Sequence, residues 1–227
     1  MGMFFGQNQL GGSPPTPVVS NIKYGRLYNW YAASNPLFAP AGWHVPSNTE
    51  FNALSTELGG NSVSGGKLKE AGLTYWNDPN IADNTSGFSA RADGDRNASD
   101  GVFRNMLVYA KFWTATQFPS PTTSGYEIML LPGDDNYYIN GNNKKFGDNI
   151  RLIKDDSTDP GFLEDIDGNI YRTVKIGTQV WLAGNWACTK LRDGTPIPNV
   201  TNGTTWSGLT TEAYCNYNND ITNVFLP

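Results

Sequence analysis

Apolar and polar positions alternate most strictly over residues 165–186, DIDGNIYRTVKIGTQVWLAGNW. Ile170, Arg172, Val174 and Ile176 alternate there with Tyr171, Thr173 and Lys175. A period of two carried by β-branched and aromatic residues predicts a half-buried strand. Gly177-Thr178 turns the chain, and Gln179, Val180, Trp181 and Leu182 return it as a hairpin. Asp167-Gly168 makes a tight turn before it. The stretch reads as the opening of a domain, yet it stands near the end of the chain. Its Trp181 and Ile176 are expected to pack on residues from the other end, including Leu27 and Trp30.

A helical period is clear once. Phe51, Leu54 and Leu58 share one face, Ser47 and Glu50 have capping-box spacing, and Gly59-Gly60 ends the run. A second helical turn is expected near 66–71. In residues 22–46, Leu27, Tyr28, Trp30 and Tyr31 offer core material, and Pro36, Pro40, Gly42 and Pro46 then force an irregular loop. Residues 74–105 read as loop, punctuated by Tyr75-Trp76, Phe88 and Val102-Phe103. Such long loops are commonly functional. Strands are expected at 108–116, 126–131, 136–140, 149–153 and 214–217, with turns at 119–125, 132–135 and 140–142. Residues 155–165 read as a polar linker. The pattern predicts an α+β fold of small antiparallel sheets, one or two helices and long ordered loops.

Composition narrows this. The 227 residues are 38% apolar and 16% charged, with 25 Gly, 7 Trp and 11 Tyr. That fits short strands and tight turns, neither a helical bundle nor a disordered chain. One domain is expected over 21–227, in pieces 21–155, 156–164 and 165–227. Residues 1–20 form an arm, in which Met3, Phe4 and Phe5 make an apolar tip on a Gly/Ser/Pro linker. An apolar tip on such a tether is expected to anchor the chain to a larger protein assembly. A net charge of −5 argues against nucleic acid as partner. No run approaches the length of a membrane span. The first residues lack the features of a secretory signal and of a myristoylation site.

Candidate chemistry is sparse. A single histidine, His44, and two cysteines, Cys188 and Cys215, exclude a histidine-based metal centre and a disulfide framework. His44 is expected to make structural hydrogen bonds, and the cysteines to be buried thiols. Asp165, Asp167 and Asn169 have the spacing of a calcium loop, but the completing Glu is absent, so a hairpin turn is expected and no cofactor. Asp93-Gly94-Asp95 and Asp134-Asp135-Asn136 read as solvated turns. No catalytic or nucleotide motif occurs. Tyr126, Asn136, Tyr137, Tyr138, Asn140, Asn142 and Asn143 concentrate the residue types that make adaptable recognition surfaces, and are the candidate ligand-binding residues.

The blocks YGRLYNWYA, PAGWHVPSNTEFNAL, LGG…GGKLKE, SGFSA, GDRNASDGVF, FWTAT, DIDGNIYRTVKIGTQVWLAGN, DGTPIPNVT and TTWSGLTTEAYCNYNND together resemble the Fibrobacter succinogenes major paralogous domain. The resemblance covers most of residues 24–220. It implies a C-type-lectin-like fold, related to the sulfatase-modifying, formylglycine-generating fold. The order of the blocks departs from the family's, where DIDGN comes first and the block matching GDNIRLIK comes last. The chain thus resembles a circular permutant, or a domain-swapped protein whose last block completes a neighbour. Where the family's final block has a cysteine this chain has Leu152, which leaves Cys215 without its usual partner.

The expectation is a non-enzymatic binding and display module on a phage virion surface: a head fibre, capsid decoration or tail receptor-binding protein. Its partners would be a capsid or tail, bound through the arm, and a host surface glycan or protein. A homo-oligomer is expected, a trimer first, with no membrane insertion. The rivals are an exported bacterial surface adhesin or polysaccharide-binding module and, further off, a sulfatase-modifying type of enzyme.

Overall fold

The 165–186 alternation forms the hairpin it predicts, and the hairpin lies inside the largest sheet. The computed structural model describes residues 18–226. In chain order these form β1 (Leu27–Tyr28), α1 (Trp30–Ala33), β2 (Trp43–His44), α2 (Asn48–Glu57), α3 (Ser64–Leu68), β3 (Asp93–Arg96) and β4 (Phe103–Met106). Then come β5 (Ala110–Gln117), β6 (Ser124–Leu130), β7 (Tyr138–Asn143), β8 (Ile153–Lys154) and β9 (Phe162–Glu164). The series ends with β10 (Ile170–Ile176), β11 (Gln179–Leu182), α4 (Gly203–Ser207) and β12 (Tyr214–Cys215). This is an α+β arrangement of antiparallel sheets with few helices.

The five-stranded sheet runs β2-β8-β11-β10-β9, so it draws strands from both halves of the sequence. The three-stranded sheet β5-β6-β7 is local, as is the β3-β4 ladder, whereas β1 pairs with β12 across the chain. The two ends of the described chain lie side by side. Ile22 bridges Phe225, the Lys23 N–H donates to the Val224 carbonyl, and the Leu226 N–H donates to that of Asn21.

α2 forms as its sequence predicts. The Ser47 hydroxyl accepts from the Glu50 N–H at 3.2 Å, and the Glu50 carboxylate accepts from the Ser47 N–H at 2.7 Å. Phe51 and Leu54 are buried on its inner face. Two orphaned amides are thereby satisfied at the helix start.

The core is three clusters rather than one. Trp181 and Ile176 join Phe51, Phe88, Phe112 and Ile128. The Trp181 ring lies 4.9 Å from that of Phe51 and 5.7 Å from that of Phe88. The expected partners are elsewhere: Trp30 packs with Trp113 and Tyr28, and Leu27 with Trp206 and Cys215. The two ends of the described chain meet instead through the β1–β12 ladder and the contacts of residues 21–23 with 224–226.

Other expectations are corrected too. The loop expected over 74–105 contains β3 and β4, and Asp93-Gly94-Asp95 is a buried strand rather than a solvated turn. Its residues are polar, so no apolar alternation marks it. Gly141 lies within β7, not in a turn at 140–142. A Cβ there would stand 2.6 Å from the Phe118 ring, so this glycine admits a close-packed aromatic. The end of the expected linker forms β9, whose Phe162 and Leu163 are half-buried against β10.

Candidate functional site

The β6–β7 ladder decides which of the candidate binding residues can act together. Its register pairs Met129 with Tyr138, Ile128 with Ile139, and Glu127 with Asn140. Because side chains alternate across a strand, Tyr138, Asn140 and Asn142 share one face with Met129 and Glu127. Ile128, Leu130, Ile139 and Tyr137 turn into the core.

Tyr137 is therefore corrected: it is 3% exposed, and its phenol is a core group. Tyr126 lies on the Ile128 side of the sheet, half-buried, with its ring 4.7 Å from that of Phe118. Asn136 is exposed in the turn before β7, where its N–H and its Nδ2 both donate to Asp134 Oδ1. Asn143 is exposed at the strand end, where its Oδ1 accepts from the Lys145 N–H. The anchor residues Met3, Phe4 and Phe5 lie outside the described residues.

The face is held from beneath. Asn142 Nδ2 donates to Glu127 Oε2 at 2.7 Å, and the Tyr138 hydroxyl donates to Asp134 Oδ2 at 2.6 Å. Glu127 belongs to a buried charged cluster: Lys111 Nζ stands 3.1 Å from Asp95 Oδ2 and 3.8 Å from Glu127 Oε2. Asp148 is fully buried beside them, and among the described residues neither of its oxygens meets a donor. Burial, and then the charge of Glu127, pushes the Asp148 carboxyl well above the usual carboxylate range. Like charges crowded in a dry site favour the neutral form of a carboxyl, which is the direction in which Asp148 is pushed.

The loops are fixed by buried cations. Arg96 donates from Nε to Gly101 O, from Nη1 to Val200 O and from Nη2 to Thr201 O, which ties two loops together. Arg151 donates to the carbonyls of Phe88, Leu182 and Ser89 and to the side chain of Asn185. Lys69 Nζ donates to Leu131 O at 2.7 Å and to Asp134 O at 2.6 Å, which fixes the turn between β6 and β7. Sequence reasoning missed all of these. A single cation in a polar stretch looks solvated, and no local pattern reveals which carbonyls it will meet.

The reactive side chains are tied up. His44 Nδ1 faces Asp155 Oδ1 at 2.6 Å and its Nε2 faces Glu50 Oε1 at 2.8 Å. The Glu50 bond, against some loss from burial and with help from Asp155, raises the imidazole to about 9. It is therefore an imidazolium at neutral pH, in the structural role expected. Cys188 and Cys215 are free, buried and in different clusters, and burial pushes each thiol up to about 12. Asp165 organises a turn: it accepts from the N–H of Asp167 and of Asn169, from Asn169 Nδ2 and from the Tyr171 hydroxyl. Its oxygens face donors, as the expected hairpin turn requires. Among the described residues no group of three or more His, Cys, Asp and Glu side chains is placed to hold a metal, and no helix is long and apolar enough to cross a membrane.

The family model of the Fibrobacter succinogenes major domain matches residues 15–154, from before β1 to the end of β8. No curated protein and no solved structure matches the chain.

Proposed function

From the premise that this chain belongs to the Fibrobacter succinogenes major domain family, we propose that it is a non-enzymatic recognition and display module of a phage virion surface. In this reading it is a head fibre, capsid decoration or tail receptor-binding protein. The arm with Met3, Phe4 and Phe5 attaches it to the capsid or tail, and its loops and the β6–β7 face meet a glycan or protein of the host surface. The observation that carries the reading is the fixing of long loops by buried Arg96, Arg151 and Lys69. Loops ordered before contact lose little entropy on binding. Tyr138, Asn140 and Asn142 then offer an aromatic surface and adaptable amides on a rigid strand.

A sulfatase-modifying type of enzyme, the second rival, would need a reactive thiol pair. Two buried thiols held at about 12 are poor nucleophiles and poor metal ligands at neutral pH. The first rival, an exported adhesin or polysaccharide-binding module, would use the same face and differ in where the chain resides.

We also propose a C-type-lectin-like fold in circularly permuted order. The adjacency of residues 21–23 and 224–226 supports it, because a permutant needs neighbouring ends. The chain's last strands complete its own sheet, which favours permutation over a swap. A homotrimer is the proposed assembly.

The experiment uses virions carrying Phe4→Ala/Phe5→Ala. The variant chain is expected to fold as wild type and to be lost from purified particles. Normal incorporation would overturn the anchor. Adsorption of the full chain to host cells, reduced by Tyr138→Ala/Asn142→Ala, tests the face. Unchanged adsorption by that variant would remove the face from the proposal.

A further inference from the structure

A cleft of about 520 Å³ opens where residues 19–23 and Leu226 meet β10 and the 84–91 loop. It exists because the two ends of the described residues close over the five-stranded sheet there. Its lining is unusual for a chain of net charge −5: Lys23, Arg91, Arg151 and Arg172 line it with a single acid, Glu70. A cleft walled by one sign of charge concentrates ions of the other sign.

Two of these cations make a built site. Arg151 is 1% exposed, and the hydrogen bonds to Asn185, Phe88, Leu182 and Ser89 use four of its five N–H groups. Arg91 stacks on Tyr75 at 3.9 Å, gives Nε to Glu70, and gives Nη1 to the carbonyls of Ile22 and Lys23. Among the described residues no hydrogen bond uses Arg91 Nη2. Both guanidiniums line this cleft, and after burial Arg91 is the next influence lowering Arg151, to about 9, against the opposing charges of Asp93 and Glu70. Two like charges held together with unspent donors favour an anion between or beside them. Asn21, Ser89 and Thr173 add amide and hydroxyl groups to the wall.

We infer that this cleft binds the anionic group of an acidic saccharide, with Arg91 and Arg151 as the anion seat and Lys23 and Arg172 at its rim. This rests on the display reading above and names the ligand class for it. The fork geometry of guanidinium suits either a carboxylate, as in a uronic acid, or a phosphate ester on a sugar. The volume accommodates a unit of about one to two sugar rings.

The test is calorimetric titration of the full chain with a glucuronate-bearing disaccharide, a phosphate-bearing disaccharide and a neutral disaccharide, at low and high salt. Binding of an acidic sugar is expected, weakened by salt, with the neutral sugar at least about tenfold weaker. Whichever acidic sugar binds more tightly identifies the group. Arg91→Lys keeps a charge but loses the fork, and is expected to weaken binding about tenfold. Arg91 also tethers residues 22–23, so Arg172→Ala, on the exposed rim, serves as the second variant. It is expected to weaken binding and to reduce the salt dependence without moving the melting temperature. Equal binding of the neutral sugar, no binding of either acidic one, or wild-type affinity in both variants would overturn the inference. Host-cell adsorption separates it from the display reading: cells bound without competition by acidic sugars would sink the cleft alone, and no cell binding would sink the display reading.

Discussion

His44 joins the start of α2 to the chain after β8, through Glu50 on one ring nitrogen and Asp155 on the other. Its folded value of about 9 exceeds the ordinary 6.5. The stabilisation is therefore fully present below pH 6.5 and is lost as pH rises through about 9. Burial alone would raise Glu50, but hydrogen bonds from His44 and Ser47 win and bring it down to about 2. Its contribution is present above about 4.5 and fades as pH falls through about 2. In a series of melting temperatures against pH, His44→Gln is expected to remove the decline between pH 6.5 and 9. A wild-type slope in that variant would contradict the clamp. Asp148 has the opposite sign from Glu50. Its folded value lies well above the ordinary 3.8, so its burial becomes more costly as pH rises. Asp148→Asn keeps the shape and removes that cost. Urea midpoints are expected to show a gain on the order of 1 kcal/mol at neutral pH, growing with pH.

At the scale of elements, loops depend on cations that lie far away in sequence. Arg96, at the end of β3, fixes the carbonyls of Gly101, Val200 and Thr201, while its guanidinium lies over the ring of Trp206 at 4.5 Å. Arg96→Met fills similar volume but takes the donor from the carbonyls of Gly101 and Val200, and leaves that of Thr201 only Asn219 Nδ2. The expected cost is about 3 kcal/mol or more by urea titration. Hydrogen exchange is expected to rise first in residues 199–203. Uniform loss of protection along the chain would mean that Arg96 acts through global stability instead. The elements written in local pattern formed as read: the capping box and inner face of α2, and the alternation and Gly177 turn of the β10–β11 hairpin. The β3–β4 hairpin was not legible. Asp93, Asp95 and Arg96 are buried there among polar partners, so its period never appears as apolar against polar. Tyr137 was misplaced for a related reason. Asn136 and Tyr138 beside it are polar-surface types, and only the register that pairs Tyr138 with Met129 and Ile139 with Ile128 sets which tyrosine faces inward.

For the whole molecule, the adjacent ends and the cross-chain sheet make a direct prediction about connectivity. Joining the C-terminus to residue 18 by a short linker, and opening new ends within residues 156–160, places the cut in an exposed segment. The product would carry its blocks in the order in which DIDGN comes first. It is expected to fold with a melting temperature within about 5 °C of the parent, since no strand pairing is broken. A monomer that fails to fold, or a parent chain that loses the β1–β12 and β8–β11 pairings on dilution, would show that those contacts belong between chains.

The sequence by itself determined the local units, a capped amphipathic helix, a tight hairpin and an antiparallel α+β composition, and the family to which residues 15–154 belong. These depend on neighbours within a few residues, where turn chemistry and side-chain period act directly. Only the tertiary structure decided which side of β7 faces outward and which carbonyls the buried arginines hold. It alone decided that Asp148 is pushed toward its neutral form and that Arg91 and Arg151 line one cleft. Each of these depends on burial and on distances between residues far apart in the chain, and a linear pattern carries neither.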